Sequence, residues 1–237
     1  MLAQRAVKIH SLSEKLKAAT GTRLREIPVP VVVGVSGGAF SGKKTFCREL
    51  RNVLDSEGII FLPEAFYRSS PPIARDSEGF PLNIPLVEPN EFDSSMLALH
   101  LEGLSSGAPV LVPNYDWERG CRGSTWHVIT PAPIIVVEGE FLFEDPAVFN
   151  RLDFKIFVDT PLESRVERLI AMEGAQKNLP KGWGEKEVRE RLLFMNELYV
   201  EPRRRLADAF VSGEGPFDAS LYELGARILD EVFSRCR

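Results

Sequence analysis

Residues 31–45 read Val-Val-Val-Gly-Val-Ser-Gly-Gly-Ala-Phe-Ser-Gly-Lys-Lys-Thr, and this stretch decides the fold. A glycine, four residues, a second glycine and a lysine reproduce the spacing of a phosphate-binding loop. Backbone N–H groups of such a loop converge on the phosphates of a nucleotide, and the positive end of the next helix faces them. Lys43 would reach the β- and γ-phosphates. The residues predicted to bind the nucleotide are Gly37, Gly38, Ala39, Phe40, Ser41, Gly42, Lys43, Lys44 and Thr45.

The context of this loop supports the interpretation. An apolar strand at 31–35 precedes it, and apolar residues on one helical face follow it, namely Phe46, Leu50, Val53 and Leu54. The alternative is a glycine-rich turn that only joins a strand to a helix. One position departs from the pattern, because Lys44 stands where a Ser or Thr normally holds Mg²⁺. The hydroxyl comes one residue later, at Thr45.

Length, composition and charge limit the class of protein. The 237 residues suffice for one domain with a sizeable core, and the net charge of −5 disfavours nonspecific nucleic-acid binding. The net charge does not exclude a local basic cleft that binds nucleic acid. Apolar runs are too short to cross a membrane, and the N-terminus lacks the pattern of a secretory signal. Three scattered cysteines without metal-site spacing indicate a reduced, cytoplasmic setting.

Predicted strands alternate with predicted helices along the chain. Strands are expected at 31–35, 59–62, 133–139, 154–159 and 209–211, and helices at 93–103, 162–172, 185–206 and 218–233. This alternation predicts an α/β fold with a mostly parallel sheet and helices on both faces. Residues 1–27 are expected to form a helical extension and 28–237 the main domain. Within it lie a long substrate loop at about 68–92 and a lid segment at about 173–184.

Five further segments, in order, carry a resemblance to the uridine kinase and phosphoribulokinase group of P-loop kinases. They are Glu64-Ala-Phe-Tyr67, Pro89-Asn-Glu-Phe-Asp93, Pro113-Asn-Tyr-Asp-Trp117 with Arg122, Val137-Glu-Gly139, and Phe157-Val-Asp-Thr160 with Arg165 and Arg168. Together with the phosphate loop they cover about residues 31–211. The resemblance implies the P-loop NTPase fold, ATP and Mg²⁺ as cofactors, and a small-molecule substrate. The net charge and the short apolar runs predict no nucleic-acid and no membrane partner, and the resemblance makes a homo-oligomer possible, because the family often forms oligomers.

Roles for individual residues follow from the resemblance. Lys43, Glu64 and Arg168 would be catalytic, with Glu64 accepting the proton of the substrate hydroxyl in place of the family's Asp. Thr45 and Glu138 would bind Mg²⁺. The alternative for Glu64 is an ordinary surface residue. The residues that would contact the substrate are Glu64, Tyr67, Tyr115, Trp117, Arg122 and Arg168; core or rim aromatics and solvated arginines are the alternatives. Arg165 is a weaker candidate for contacting substrate or phosphate.

Other positions depart from the family. Val87 and Gly120 stand where uridine kinases carry a sugar-binding Asp and a base-contacting His, and the arginine-rich lid is replaced by 175–178, Ala-Gln-Lys-Asn. Two hypotheses follow. The first is ATP-dependent phosphoryl transfer to a hydroxyl of a nucleoside or similar alcohol. The second is a catalytically impaired pseudokinase that binds a nucleotide or a partner. A GTPase is disfavoured, because the chain has no Asn-Lys-x-Asp sequence.

Overall fold

The structure is a computed structural model that describes residues 30–54, 58–69, 77, 88–116, 121–171 and 179–235. The predicted N-terminal helix, Trp117, most of the predicted substrate loop and the first part of the predicted lid lie outside the described residues. The division into an extension and a main domain therefore stays a prediction.

Seven strands and seven α-helices are seen in the described part of the chain. The strands are β1 (Val31–Ser36), β2 (Ile59–Pro63), β3 (Val110–Asp116), β4 (Cys121–Ile129), β5 (Ile134–Glu138), β6 (Phe154–Asp159) and β7 (Ala209–Ser212). The helices are α1 (Lys43–Leu54), α2 (Ser94–Ser105), α3 (Pro146–Phe149), α4 (Leu162–Ala171), α5 (Glu185–Met195), α6 (Glu201–Arg204) and α7 (Asp218–Arg235). Short 3₁₀ turns cover Glu64–Tyr67 and Pro89–Glu91, and a π-helical turn covers Asn196–Val200.

The central sheet has five parallel strands in the order β2-β5-β1-β6-β7. The predicted α/β class and parallel sheet are confirmed. β1 is the topological switch point of the sheet. β2 and β5 lie on one side of it, and β6 and β7 lie on the other. Ligands of such sheets bind at the carboxyl ends of the strands near this switch point. The phosphate loop lies there, directly after β1.

Each face of the sheet is buried under helices. Val31, Val33 and Val35 of β1 pack with α1 and α7, whereas Val32 packs with β5 and α2 on the opposite face. Alternate residues of a strand point to opposite faces, so a strand that is apolar throughout can serve two cores. All six residues of β1 are buried. The loop at its carboxyl end therefore starts from a rigid support.

An antiparallel hairpin of β3 and β4 was not predicted as strands. It pairs Leu111 with Val128 and Pro113 with Trp126, and it is separate from the central sheet. Pro113, Asn114 and Gly123 interrupt the alternating pattern that would indicate strands in its sequence. The hairpin packs on the Glu64–Tyr67 turn. It therefore brings residues 110–116 and 121–129 to the carboxyl edge of the sheet.

The prediction of one continuous helix at 185–206 is wrong. The structure has α5, then the π-helical turn Asn196–Val200, then α6 ending at Arg204. Pro202 lacks the N–H that an α-helix would direct to the carbonyl of Leu198. The Arg203 guanidinium donates to that Leu198 carbonyl instead, at 3.1 Å. No helix among the described residues has the length and apolar character needed to span a membrane.

Candidate active site

The phosphate loop has a backbone suited to anions. Gly37 and Gly42 have φ angles of 144° and 99°, which favour glycine, and Phe40 has φ of 62°. A Cβ on Gly37 would also overlap with the carbonyl of Val158. Positive φ values interspersed in a short loop turn successive N–H groups toward one side, where they can bind an anion.

Lys43 turns back from the start of α1 over the loop. Its Nζ donates to the carbonyl oxygens of Gly37 at 2.7 Å and Gly38 at 2.9 Å. Burial lowers the pKa of Lys43, while nearby carboxylates oppose that change by stabilising the ammonium. Those carboxylates, in decreasing order of influence, are Glu140, Glu138 and Glu64. The lysine thus connects the loop to an acidic group at the same edge of the sheet.

Two of these carboxylates follow neighbouring strands. Glu64 comes directly after β2, Glu138 ends β5, and the register places Pro63 opposite Glu138. Glu64 is 5% exposed and Glu138 is 7% exposed. Carboxylates are almost never this buried without a partner or a function. Parallel pairing carries both to one edge, although they are far apart in sequence.

Glu64 has the environment of a proton acceptor with a raised pKa. Burial raises the pKa of Glu64 to about 8, helped by the charges of Glu140 and Glu138, although the Phe141 amide and Lys43 act in the opposite sense. The Phe141 N–H donates to Glu64 Oε2 at 3.1 Å, which fixes the carboxylate. A base whose pKa lies near the working pH is well matched to abstracting a proton from a hydroxyl.

A cavity of about 510 Å³ lies beside the loop. Its lining residues come from the loop, α1, β5, α4 and the segment after β7: Phe40, Gly42, Lys43, Lys44, Thr45, Glu138, Arg168, Gly213, Gly215 and Phe217. Six of the residues predicted from sequence for nucleotide or metal binding therefore share one cavity with Arg168. Lys44 is exposed and Thr45 is partly buried. The cavity lies where the sequence predicts that a nucleotide binds.

The donor set at this cavity fits Mg²⁺ completed by phosphate oxygens. Thr45 supplies a hydroxyl and Glu138 a carboxylate, and Mg²⁺ prefers oxygen ligands. Within the described ranges, no group of three or more metal-binding side chains forms a self-sufficient site. Mg²⁺ in phosphoryl-transfer enzymes commonly takes only one or two protein carboxylates, with substrate phosphates and waters completing the shell.

Two arginines of α4 hold the loop from different sides. Arg168 lines the cavity and donates to the carbonyls of Phe40 at 3.1 Å and Gly213 at 2.6 Å. Arg165 is 3% exposed, and a Cβ on Gly38 would overlap with its guanidinium. Burial lowers the pKa of Arg165, and the nearby acidic residues counteract this. Both cations are therefore fixed within reach of the phosphate loop.

Tyr67 occupies the core beneath the Glu64–Tyr67 turn. Its side chain is 0% exposed, and its hydroxyl lies 3.0 Å from Nδ1 of His100 in α2. Burial raises the pKa of the Tyr67 hydroxyl. Contact of Tyr67 with a substrate stays a prediction, and the observed packing places its side chain in the hydrophobic core.

Tyr115 and Arg122 come from the hairpin. Tyr115 is partly buried and its ring stacks on Phe66 at a centroid distance of 6.4 Å. Arg122 pairs with Asp93, the N-cap of α2, at 3.4 Å. The hairpin thus supplies an aromatic ring and a cation beside the turn that carries Glu64. Their contact with an acceptor also stays a prediction.

Sequence reasoning missed two charged residues at this edge. Arg68 is 9% exposed and donates to Glu91 at 2.9 Å, and the Tyr115 hydroxyl is hydrogen-bonded to Arg68. Glu140 lies one residue beyond Gly139 and faces Lys43. The signal for Glu140 was present, because it is a second carboxylate two residues after Glu138 at the end of a buried strand.

Comparisons with known proteins agree with this geometry. The model of the phosphoribulokinase / uridine kinase family matches residues 32–201. A uridine kinase of Deinococcus deserti is 30% identical over 203 residues, covering 84% of this chain and 95% of the relative. A uridine kinase of Klebsiella pneumoniae is 31% identical over 207 residues, covering 84% and 94%. A solved structure, a proposed fructose transport system kinase of Silicibacter sp. TM1040, shares the fold with TM-score 0.52, 18% identity, and coverage of 83% and 98%.

Proposed function

Because the chain belongs to the phosphoribulokinase and uridine kinase family and is a small-molecule kinase, we propose that it transfers the γ-phosphoryl group of ATP to a hydroxyl of a nucleoside or a similar small alcohol. The observation that carries this proposal is the buried Glu64 carboxylate, held at the same edge as Lys43 and the phosphate loop. A proton acceptor and a phosphate-binding cation at one edge are the two elements that such a transfer requires.

The proposed reaction breaks the bond between the γ-phosphorus and the oxygen that bridges it to the β-phosphate. The acceptor oxygen forms the new bond to phosphorus, its proton passes to Glu64, and ADP leaves. Lys43 and the loop N–H groups hold the phosphates in position for this step. Glu64 must be ionised to accept the proton, so we expect kcat/KM to rise with pH through about 8.

The cavity residues have distinct roles in this proposal. Arg168 places a positive charge at the cavity wall, where it offsets phosphate charge. Thr45 and Glu138 would hold Mg²⁺, which supplies positive charge against the phosphates. Lys44 has no metal-binding role here, because an ammonium group cannot ligate a cation.

The acceptor would lie between Glu64 and the hairpin. Tyr115 and Arg122 lie on the hairpin that packs against the Glu64–Tyr67 turn. A half-buried aromatic ring with a nearby guanidinium suits a flat or ring-shaped alcohol that also offers hydrogen-bond acceptors. Trp117, between these two residues in the chain, is proposed to stack on the same acceptor.

The test is a calorimetric titration of ATP with and without Mg²⁺, followed by ADP release over a panel of nucleosides and related alcohols. Glu64→Gln keeps the shape of the side chain but removes the base, so we expect kcat to fall by about 10² to 10⁴ with ATP affinity kept. The control is Glu102→Gln, an exposed residue of α2 paired with Arg151. ATP binding without turnover on any acceptor would contradict the proposal and leave a nucleotide-binding protein.

A further inference from the structure

Glu140 is an acidic residue at the carboxyl edge to which the proposed mechanism assigns no role. Its backbone is fixed at the base of the phosphate loop, since Ser36 Oγ donates to the Glu140 carbonyl at 3.1 Å. The preceding Gly139 N–H donates to the Val35 carbonyl at 3.1 Å. These two bonds join the turn after β5 to the end of β1. Its side chain therefore starts from a defined position beside the loop.

The Glu140 carboxylate is held by the groups that a phosphate would use. It accepts a hydrogen bond from the Ala39 N–H of the loop, and the charges of Lys43 and Arg165 stabilise its ionised form. Burial acts against that form and raises the pKa of Glu140. Among the charged groups acting on Lys43, Glu140 has the largest effect. A loop amide thus donates to the partly buried Glu140 carboxylate, and the phosphate-loop lysine and a buried arginine act on it electrostatically.

The charge of Glu140 acts on both Lys43 and Glu64. The cavity beside the loop is lined by Lys43, Thr45 and Arg168. Of the carboxylates acting on Glu64, Glu140 has the greatest influence. A phosphoryl group in transfer has to lie between the phosphate-loop lysine and the catalytic base. Glu140 is the carboxylate with the largest effect on each of these two groups.

We propose that the Glu140 carboxylate takes the place of the terminal phosphate on the loop and competes with the γ-phosphate of ATP, so that it weakens ATP binding more than ADP binding. The inference rests on ATP being the phosphoryl donor. Two anions within a few ångströms repel each other, and they cannot both bond to the Ala39 N–H. ADP lacks the phosphate that would displace Glu140. The residue therefore sets the preference of the site between triphosphate and diphosphate.

The decisive experiment measures the Kd values of ATP and ADP by calorimetry in EDTA and in Mg²⁺. The variant is Glu140→Gln, and the control is Glu190→Gln, whose side chain is 66% exposed on α5. In EDTA, we expect Glu140→Gln to tighten ATP by at least about fivefold and ADP by less than about twofold. The control should change neither. An unchanged or weaker ATP affinity, or an equal gain for both nucleotides, would overturn the inference.

The unsubstituted protein provides a second test that does not depend on a variant folding. In EDTA, we expect its preference for ATP over ADP to be below about tenfold, because Glu140 offsets what the γ-phosphate gains from Lys43. A larger preference would overturn the inference. Binding of both nucleotides without an effect of Glu140 contradicts only this inference. Failure of the protein to bind either nucleotide, in Mg²⁺ as well as in EDTA, overturns both it and ATP as the donor.

Discussion

At the scale of single residues, the carboxyl edge of the sheet has an unusual balance of charge. The charges of Glu64, Glu138 and Glu140 act on Lys43. The buried Arg165 acts together with Lys43 on Glu140. Nucleotide phosphates would add further negative charge. We therefore expect nucleotide binding to depend strongly on a divalent cation, which would bring positive charge to Thr45 and Glu138.

The raised pKa of Glu64 makes stability depend on pH. Its pKa is about 8 in the folded protein against an ordinary value of 4.5. The folded state therefore holds this proton more tightly, and ionised Glu64 costs stability that develops from about pH 4.5 and is complete above about pH 8. Glutamine imitates the neutral acid. We expect Glu64→Gln to match the parent protein near pH 4 and to exceed its free energy of unfolding by roughly 1 to 4 kcal/mol near pH 9.

Urea denaturation at both pH values measures this difference. Glu102→Gln serves as the control, because the Glu102 side chain is 62% exposed. An equal effect of Glu64→Gln at the two pH values would contradict the assignment of a raised pKa to Glu64.

Lys44 tests whether the departure from the phosphate-loop pattern impairs the enzyme. Its side chain is exposed at the cavity, while Thr45 supplies a hydroxyl to the same lining. We expect Lys44→Thr to change kcat by less than about tenfold and to lower the Mg²⁺ concentration at half-maximal rate, since a cation beside the metal is removed. Steady-state rates over a Mg²⁺ series measure both, with Lys186→Thr on α5 as control. A gain in kcat above about 10²-fold would show that the parent protein is impaired.

At the scale of secondary-structure elements, the π-helical turn Asn196–Val200 connects the helical layer to the phosphate loop. Asn196 Oδ1 accepts from Arg165 Nη2 at 2.9 Å. Arg165 in turn lies against Gly38. Tyr199 of the same turn contacts the ring of Phe141 edge-on at 5.8 Å, beside the residue whose N–H fixes Glu64. One irregular turn thus supports both sides of the site, and π-turns inside α-helices are frequent at functional sites.

Removing the Asn196 amide should destabilise the buried Arg165. In the described part of the chain, Arg165 Nε already lacks a hydrogen-bond partner, so loss of the Asn196 acceptor leaves the guanidinium less satisfied. We expect Asn196→Ala to lower the free energy of unfolding by about 1 to 3 kcal/mol, as measured by urea denaturation. Asn90→Ala, at an exposed position, is the matched control. Equal stability of the two variants would show that the Arg165 contact contributes nothing.

At the scale of the whole molecule, α7 closes the fold onto the start of the first strand. The Arg235 guanidinium donates to the carbonyl of Pro30 at 2.9 Å and pairs with Asp153 at 2.8 Å. Asp153 also accepts from the Val32 N–H at 2.8 Å. The end of the last described helix is thereby joined to the strand that carries the phosphate loop.

Arg235 should therefore matter for global stability rather than for catalysis. We expect Arg235→Ala to lower the free energy of unfolding by about 1 to 3 kcal/mol, because charge-assisted hydrogen bonds to a backbone carbonyl and a carboxylate are lost. Arg48→Ala, an exposed position on α1, is the control. Thermal denaturation with and without ATP measures the effect. An altered kcat with unchanged stability would contradict this role.

The sequence by itself determined the parallel sheet, its strands and the position of the phosphate loop. Each of these depends on local patterns, namely apolar runs, helical spacing and the glycines that a tight loop requires. The bounds at 154–159 were predicted to the residue, and the strand preceding the loop within one residue. Such features can be predicted from sequence because the interacting atoms belong to neighbouring residues, whose spacing along the chain is fixed by covalent bonds.

Only the tertiary structure decided the surroundings of the candidate site. The N–H that fixes Glu64 belongs to Phe141, 77 positions away, and the burial that raises the pKa of Glu64 depends on strand pairing. The position of Glu140 beside Ala39, the core packing of Tyr67 and the π-helical turn beneath Arg165 likewise depend on contacts between distant segments. Burial and electrostatic interaction act through space, so the order of residues along the chain does not specify them.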